Sequence, residues 1–422
     1  MKFNSTKYNE HWDEEVLSNL GNFQRGKSKH RPRNDSRLFL NGSHPLIQTG
    51  DVKNADLYIN SHDACYNDYG LKQSAIWPTN TLCITIAANI AETGILAYPM
   101  CFPDSIVGFN ADSRKTSELF MHYVFSFIRN SIQKTAIGSI QDNINIDFLK
   151  DLVFRIPSKP TQDVICSVLE KLDKKIALNK KIINQLKDNI QLIYNYWFVQ
   201  FDFPNEDSKP YKYSGGKMIF NEILKLDIPF GWEVKKLGDV IPTVLGGTPS
   251  TTNPANWTNG NIHWLSSGEI EQFPIISSEK KVTLRGIKNS VAEVLPKGSI
   301  LISIVRHLRV SILAMDSSFN QSVVALPEKD NFKKEFLYPW LINELPRLSA
   351  LRTGAQQPHI NQDLVDDSKI ILPPDFLLEK YSEIVAPIFE QINNIAFENL
   401  KLQKLRDWLL GMLMNGQVKV RN

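Results

Sequence analysis

The sequence of 422 residues has few cysteines and no long hydrophobic run. Its four cysteines lie far apart and form no CxxC pair, which argues against a zinc ribbon or a disulfide framework and is typical of a reducing cytoplasm. No apolar stretch approaches the ~20 residues that span a bilayer. The N-terminal segment MKFNSTKYNEHWDEE lacks the apolar core of a secretory signal. We therefore expect a cytoplasmic protein without a membrane segment.

The sequence also lacks the motifs of common catalytic sites. It has no GxGxxG dinucleotide fingerprint, no GxSxG nucleophile elbow, no His/Cys cluster with metal-ligand spacing and no Asn-Pro-Pro-aromatic tetrapeptide of amino-methyltransferases. One match remains, the G-x4-G-K-S pattern GNFQRGKS (21–28). No buried strand precedes it and a proline-containing polar segment follows it, so the helix that a phosphate-binding loop requires is missing. We interpret the chain as a non-catalytic binding protein without a metal or cofactor of its own, and a nucleotide-hydrolysing enzyme is the more distant alternative.

The composition that is present is that of a folded globular protein. Hydrophobic residues make up 42% of the chain, charged residues 22% and aromatic residues 10%, which excludes a mainly disordered or low-complexity chain. At ~150 residues per domain, the length predicts two or three domains. The net charge is only +3, so any basic surface for nucleic acid must be local.

The chain contains an internal repeat. NGSHPLIQTGDV (41–52) matches NGNIHWLSSGEI (259–270), and PTNTLCITI (78–86) matches PKGSILISI (296–304), both at an offset of 218 residues. Further matches follow in the same order at nearly the same offset, including VFRIP with KIILP. Ordered matches at a constant offset indicate two copies of one structural unit.

Each copy has the same order of sequence signals. A Trp-x4-Leu opening (Trp12 to Leu17, Trp232 to Leu237) precedes a polar loop, and short β-branched segments such as LCITI and ILISI then predict buried strands. A helical stretch precedes a last strand that ends at proline. This mixture predicts an α+β globule in each copy.

A long helix follows each globule. Both helices have apolar residues at alternating spacings of four and three, which is the heptad pattern of a coiled coil. Each pattern is interrupted near its middle by one asparagine, Asn179 in the first helix and Asn399 in the second. We predict that the helices pair antiparallel with the two asparagines opposite each other, fixing the register; the alternative is that each helix packs on its own globule. Pro387 predicts a late start or a kink in the second helix, and Arg406 interrupts its apolar pattern.

These signals divide the chain into six segments. The predicted division is a first recognition domain (1–160), a first long helix (161–203), a linker (204–228), a second recognition domain (229–376), a second long helix (377–416) and a C-terminal tail (417–422). The aromatic stretch YNYWFVQFDFP at the end of the first helix predicts a hydrophobic joint or a partner surface; stacking on single-stranded bases is the alternative.

The strongest local charge lies in QRGKSKHRPRNDSR (24–37), where six cations accompany one acid. This is the composition of a loop that binds phosphates, although a solvated basic loop is the alternative. The corresponding loop of the second copy (246–261) is uncharged and rich in hydroxyls and amides, while its cations follow the strand ILISIV. A third pair of equivalent loops is rich in amides that can bond adenine. The predicted DNA contacts are Arg25, Lys27, Ser28, Lys29, His30, Arg31, Arg33, Gln141, Asn143, Thr248, Ser250, Thr251, Thr252, Arg306, His307, Arg309, Gln356, Gln357 and His359.

Together these segments resemble the DNA-specificity subunit of type I restriction–modification systems. WFVQFDFP followed by KPYKYSGGKM and IPFGWEVKKLGDV resembles the junction after the first helical region of that family. GGTPSTTNPANWTNGNIHWLSSGEI resembles the start of its target-recognition domains, and RGKSKHRPRN, IQTGDV and LCITIAANIAETGIL resemble a variant of the first domain. The first copy lacks the GGTPST motif, so DNA contacts expected for this loop in the second copy are not assigned to the first.

The resemblance implies a non-catalytic recognition subunit. Each target-recognition domain would read one half of a split, asymmetric double-stranded DNA site, and the paired helices would set the gap between the halves. The helices would also dock two methyltransferase subunits, and restriction subunits would join that core. S-adenosylmethionine, ATP and magnesium are expected on those partners. A protein–protein scaffold with two repeated binding domains is the alternative function.

Overall fold

The computed structural model describes residues 2–87, 89–137, 146–354 and 356–419. The chain divides into two compact units. The first combines residues 1–178 with residues 400–422, and the second spans Asn179–Asn399. Both boundaries fall inside long helices, so each unit contains one globule and one part of each helix.

Three sheets build the globule of the first unit, with strand orders β1-β12-β2, β6-β4-β10-β7 and β3-β11-β8-β9-β5. Its strands are β1 (Lys2–Phe3), β2 (Asp13–Val16), β3 (Gly21–Arg25), β4 (His44–Leu46), β5 (Tyr58–Ile59), β6 (Ala64–Tyr66), β7 (Ile76–Trp77), β8 (Leu82–Thr85), β9 (Thr93–Leu96), β10 (Met100–Cys101), β11 (Ile106–Ala111) and β12 (Val153–Ile156). Its helices are α1 (Leu17–Leu20), α2 (Thr49–Asn54), α3 (Asp68–Leu71), α4 (Glu118–Ile137), α5 (Ile146–Lys150) and the start of α6 (Lys159–Tyr194).

The core of this unit lies between the five-stranded sheet and α4. Every residue of β8 is buried, as the LCITI segment predicts for a central strand. From α4, Phe120, Val124 and Ile128 recur at the spacing of one helix face and enter the same core. The start of α6 and the last turns of the C-terminal helix also pack against it, through residues such as Leu169 and Leu413.

The second unit repeats this arrangement with smaller sheets, ordered β16-β22-β19-β20, β18-β17-β21, β15-β23 and β13-β14. Its strands are β13 (Met218–Asn221), β14 (Leu226–Pro229), β15 (Glu233–Lys236), β16 (Val244–Leu245), β17 (Ile262–Leu265), β18 (Lys280–Val282), β19 (Ile300–Ser303), β20 (Val310–Ile312), β21 (Ser317–Phe319), β22 (Val323–Leu326) and β23 (Lys369–Leu372). Its helices are α7 (Leu237–Val240), α8 (Leu284–Lys288), α9 (Lys334–Ala350), α10 (Gln362–Asp366) and most of α11 (Asp375–Met414).

The strand pairings confirm the α+β repeat. In the first unit β12 pairs antiparallel with β2, and in the second β23 pairs antiparallel with β15. The central strands β8 and β19 are each flanked by two antiparallel neighbours, and both are buried at all four positions. One smaller sheet of each unit contains a parallel pair, β4 with β10 in the first and β17 with β21 in the second. The first unit has additional strands, including β5, which pairs parallel with β9, and β1, which pairs parallel with β12.

The long helices pair antiparallel, as predicted. Within the second unit, Asn179 of α6 donates from Nδ2 to Oδ1 of Asn399 at 2.9 Å. Further along α6, the ring of Tyr194 meets the ring of Tyr381 edge to face, with centroids 6.4 Å apart. Tyr381 precedes Asn399 along α11. The direction of α11 is therefore opposite to that of α6. The two asparagines are 1% and 6% exposed, which excludes the alternative in which they are solvated.

One expectation about α11 is wrong. The helix does not start late, since it runs from Asp375 to Met414 with Pro387 inside it. Proline removes one backbone hydrogen bond there, but Val385 and Phe389 on either side of it are buried, so packing holds the helix through this turn. Arg406, which interrupts the apolar pattern, is paired within the first unit, where its Nη1 donates to Asp173 Oδ1 at 2.9 Å and its Nη2 donates to Asp407 at 2.8 Å.

The aromatic stretch after α6 forms a joint inside the second unit. Residues Asn195–Val199 continue the helix as a π-helical turn, which buries Phe198 against Phe336 and Tyr381. Phe203 stacks on Trp232, the first residue of the second Trp-x4-Leu opening, at 5.2 Å. These rings are buried among one another, which agrees with the predicted hydrophobic joint rather than with an open stacking surface.

Candidate nucleic-acid interface

The basic loop of the first unit leaves the edge strand β3 and is anchored beside the start of β11. Gly26 passes so close to this neighbour that a Cβ on it would lie 2.2 Å from the carbonyl oxygen of Pro103. The next amide, that of Lys27, donates to the carbonyl oxygen of Phe102 at 3.2 Å. The loop therefore begins at a fixed place at the end of the sheet.

Asp104 binds three arginines of this loop through its side chain and its backbone carbonyl. Asp104 accepts a hydrogen bond from Arg33 Nη2 at 2.7 Å and lies 3.9 Å from Arg31 Nη2. Its carbonyl oxygen accepts from Arg25 Nε at 3.0 Å. All three arginines stay exposed, so their contacts order the loop while a guanidinium face remains open to solvent.

A second aspartate organises the other end of the loop. Asp35 accepts from the guanidinium and backbone of Arg37 and lies 2.8 Å from Nε2 of His30. The hydrogen bonds from Arg37, followed by the one from His30, hold the pKa of Asp35 well below its usual range. The carboxylate therefore stays charged and keeps this turn closed at any ordinary pH.

Two lysines are the unengaged cations of the loop. Lys27 and Lys29 are exposed, and neither forms an ion pair with any described residue. Ser28 between them is 7% exposed and uses its carbonyl oxygen to accept from Arg31 Nη1 at 2.6 Å. The groups free to meet phosphates are thus the two lysines, on either side of a buried serine.

In the second unit the uncharged loop is folded on itself by its own side chains. The carbonyl oxygen of Ser250 accepts from Asn256 Nδ2 at 3.0 Å and from Trp257 Nε1 at 3.1 Å. Thr248 donates to Gln321 at 2.6 Å. These bonds fix the turn and leave the predicted hydroxyl residues exposed at its surface: Thr248, Ser250, Thr251 and Thr252.

Two other predicted loops of the second unit come together. The backbone amide of Arg306 donates to the carbonyl oxygen of Pro358 at 2.8 Å, and Arg352 Nη1 donates to the carbonyl oxygen of Arg306 at 3.1 Å. Arg306 has a φ of 64°, a conformation that costs a non-glycine residue energy and is held here by these bonds. As a result His307 and His359 are exposed on adjoining loops.

The remaining predicted contact residues differ in whether their side chains are already paired within the protein. Arg309 is turned to Glu271, with 3.1 Å between Nη1 and Oε2. Gln356 and Gln357 are exposed in the loop that meets Arg306. The predicted contacts Gln141 and Asn143 lie outside the described residues.

Sequence reasoning missed two groups of residues. Arg352 adds a cation beside Arg306, although 46 residues separate them in the sequence. Asn22 and Gln24 are exposed on β3, where the strand leads into the basic loop. The alternation of polar and apolar residues in GNFQR is a signal of a half-exposed strand that could have identified them.

Some kinds of site are absent from the described part of the chain. Within it, no group of three or more His, Cys, Asp or Glu side chains could hold a metal ion. None of its helices combines the length and apolar character needed to cross a bilayer.

Comparison with known proteins gives the same division into two copies. A family model described as the type I restriction modification DNA specificity domain matches residues 9–188 and 229–406. The chain is 25% identical to the type I restriction enzyme MjaIX specificity subunit of Methanocaldococcus jannaschii over 97% of this chain and 94% of that protein. It is also 25% identical to the HindI specificity subunit of Haemophilus influenzae over 65% of this chain and 71% of that protein.

A solved structure shares the fold. The crystal structure of the type I restriction–modification S subunit from M. genitalium matches with a TM-score of 0.53 and 15% identity, covering 98% of this chain and 99% of that one. The similarity extends over both copies and both long helices.

Proposed function

This chain belongs to the type I restriction–modification DNA specificity family, and from that premise we propose that it selects the DNA target of a type I complex. Each globule reads one half of a bipartite, asymmetric site in double-stranded DNA. The paired helices set the gap between the halves. The chain is the recognition subunit, and the chemistry belongs to its partners.

The observation that carries this proposal is one scaffold with two different sets of exposed groups. The strand pairings of the two globules correspond, yet the first bears a loop rich in lysine and arginine where the second bears threonine and serine. The second instead has Arg306 and Arg352 on two adjoining loops. Two copies of one scaffold with different surface chemistry suit two different half-sites, since exposed loops carry recognition while strands carry the fold.

The helix pair supports a spacing role. Its register is marked by a buried bond between Asn179 and Asn399, and Asn179 also donates to Glu398 at 2.6 Å. A shift of either helix would leave these polar groups buried without partners, which costs about 1–3 kcal/mol per group. A helix pair with one favoured register can serve as a ruler of fixed length.

Partners supply the reaction. Two methyltransferase subunits would dock on the helices and carry S-adenosylmethionine, and restriction subunits would bring ATP and magnesium. On this proposal the present chain holds no cofactor, and its task is to bind DNA so that an adenine in each half is presented to a methyltransferase.

Base-modification sequencing tests this function. The chain is co-expressed with the methyltransferase subunit of its own operon in a host free of related systems, and a culture without the chain is the control. The expected result is a new split motif with methyladenine in each half and a fixed unspecified gap. A stable complex that produces no motif would contradict the proposal and favour the protein–protein scaffold.

A further inference from the structure

An open cleft lies beside the basic loop in the first unit, and neither the loop prediction nor the family match assigns it a role. It has a volume of about 320 Å³. Its lining includes Asn22, Gln24, Lys27, Trp77, Pro78 and Asn110, and we name it the amide cleft. Three of its eight lining residues are amides, and one is an unengaged lysine of the basic loop.

Strand register explains why the amides share one face. Phe23 pairs with Phe109 across β3 and β11, and their rings pack in the core with centroids 4.6 Å apart. Because side chains alternate along a strand, Asn22 and Gln24 turn to the opposite face. Asn110 is the direct partner of Asn22 in this register, so its side chain points the same way.

An aromatic ring forms the wall between the amides. Gly108 is the partner of Gln24, and a Cβ on it would lie 2.7 Å from Cζ3 of Trp77. The missing side chain lets the indole lie against β11, where it stacks on Phe102 at 4.7 Å. Trp77 is 8% exposed. The cleft therefore has a rigid apolar wall with amide groups along its edge.

The amides of β3 are not used by the fold. Asn22 and Gln24 are exposed, and their side chains make no hydrogen bond to any described residue. Asn110 donates from Nδ2 to Thr81 Oγ1 at 3.1 Å, which fixes its orientation. The arginines of the adjoining loop, in contrast, are largely engaged with Asp104 and Asp35. Free amide groups on a rigid strand are suited to reading bases, while the loop is suited to gripping phosphates.

We propose that the amide cleft reads A·T base pairs of the first domain's half-site, with Asn22 and Gln24 as specificity-determining residues. This inference rests on the proposed function and assigns its base contacts. An amide side chain can bond adenine N6 and N7 at once in the major groove. Lys27, at the end of the same strand, meets a backbone phosphate nearby.

The spacing of the two amides matches that of DNA. Residues two apart on a strand are separated by about 6.8 Å, which is about two base-pair steps of 3.4 Å. β3 is an edge strand of its sheet, so no further strand stands between it and a groove. Asn22 and Gln24 can thus address base pairs two steps apart.

The test uses amide-to-carboxylate and amide-to-alanine variants in the complex with the methyltransferase subunit. Gln24→Ala is expected to relax one position of one half-site and to lower the preference for cognate over mismatched DNA about ten- to hundredfold. Gln24→Glu is expected to accept cytosine there, because a carboxylate accepts from cytosine N4. Asn22→Ala and Asn22→Asp should do the same at a second position. The other half and the gap should not change in any variant.

Two controls separate recognition from charge and from folding. Asn60 is exposed directly after β5, at the opposite edge of the same sheet. Asn60→Asp adds the same charge and should leave the motif unchanged. Lys29→Ala should lower methylation of all sites without changing the motif.

The outcomes are distinguishable. If the wild type yields a split motif and the Asn22 and Gln24 variants keep that motif with an undiminished preference over mismatched DNA, the inference is overturned while the proposed function stands. If the wild type yields no motif, the proposed function itself fails and the inference falls with it. Relaxation at single positions of one half supports both.

Discussion

The two recognition domains share a turn at the same place and use it to present different chemistry. In the first, the hydroxyl of Thr85 at the end of β8 donates to the carbonyl oxygen of Asn89. In the second, Ser303 at the end of β19 donates to the carbonyl oxygen of His307 at 2.6 Å. The buried hydroxyl closes the turn in both domains, but only the second places Arg306 and His307 on it. Exposed side chains can therefore differ while the turn that carries them stays the same.

The domains differ inside as well as outside. In the first, α4 carries the buried His122, whose Nδ1 lies 3.0 Å from Thr93 Oγ1. It also carries Tyr123, which donates to Asp173 of α6 at 2.7 Å. In the second, the corresponding helix α9 has an apolar buried stretch with Phe336 and Leu337, and its buried Glu335 is paired with Lys334 at 2.7 Å. The first domain thus buries a histidine in this helix where the second buries a glutamate paired with a lysine, and this difference can be tested.

Acid should affect the first domain before the second. Burial lowers the pKa of His122 from 6.5 to about 3. The folded pKa lies below the unfolded one, so this histidine contributes its full stability above pH 6.5 and loses it progressively as the pH falls toward 3. This difference between the unfolded and folded pKa corresponds to a change in stability on the order of 5 kcal/mol. Hydrogen exchange across this range should show α4 losing protection ahead of α9.

The His122→Leu variant is the control for the acid effect. It removes the titrating group, so the early loss of protection in α4 should disappear. Equal loss in α4 and α9 in both proteins would show that His122 does not set the acid response.

Asp173 should be the most sensitive position of the helix pair in the first unit. It is 5% exposed and accepts from both Tyr123 and Arg406. Asp173→Ala removes the acceptor of the Tyr123 hydroxyl and one of the two carboxylates that bind Arg406, whose guanidinium also donates to Asp407. Loss of a hydrogen bond to a charged group costs about 1.5–3 kcal/mol. Hydrogen exchange should increase in α4 and at the start of α6.

A double variant sharpens this reading. Asp173→Leu with Arg406→Leu removes both charges together and should recover much of the lost protection, because an apolar pair of similar size can replace a buried ion pair. If the double variant exchanges hydrogen as fast as Asp173→Ala in these helices, the ion pair is not what holds them together there.

The asparagine pair should behave as a coupled unit with a smaller effect. Asn179→Leu or Asn399→Leu alone breaks the buried bond between the two amides, at a cost of about 1–3 kcal/mol. The double substitution removes both polar groups and should cost less than the sum of the singles. Melting of the four proteins in complex gives the coupling energy, and simple additivity would show that the amides act independently.

Single lysines of the basic loop should have the smallest effect. Lys29 is exposed and unpaired among the described residues, so Lys29→Ala removes one phosphate contact and should lower the salt dependence of DNA binding by about one unit of slope. Lys53 is an exposed lysine on α2, outside the loop, and Lys53→Ala is the matched control. Equal slopes of salt dependence for the two variants would show that Lys29 of the basic loop does not contact a DNA phosphate.

The sequence was sufficient to predict the strands and helices whose residues follow a regular local pattern. The segments LCITI and ILISI are central strands because β-branched residues fill both faces, and the heptad spacing identified Asn179 and Asn399 as partners although 220 residues separate them. It could not find partners that only tertiary folding brings together. Asp104 meets Arg33 from 71 residues away, and the amide cleft exists only because Gly108 admits Trp77 against β11.

The start of α11 at Asp375, well before Pro387, shows a different reason why a predicted late start was wrong. A proline in a helix is unfavourable locally, and the sequence gives no measure of the packing around it. Val385 and Phe389 are 0% and 3% exposed, so the second unit supplies that packing. Tertiary burial outweighs a local cost in this helix.

The measurement that tests the central claim most directly is an exchange of the basic loop. Residues 24–37 are replaced by a neutral loop of equal length, the variant is expressed with the methyltransferase subunit, and the host DNA is sequenced for modified bases. Separate reading by two copies of one scaffold predicts that one half of the motif changes or is lost while the other half and the gap stay the same. Loss or change of both halves together, in a complex that still assembles, would contradict it.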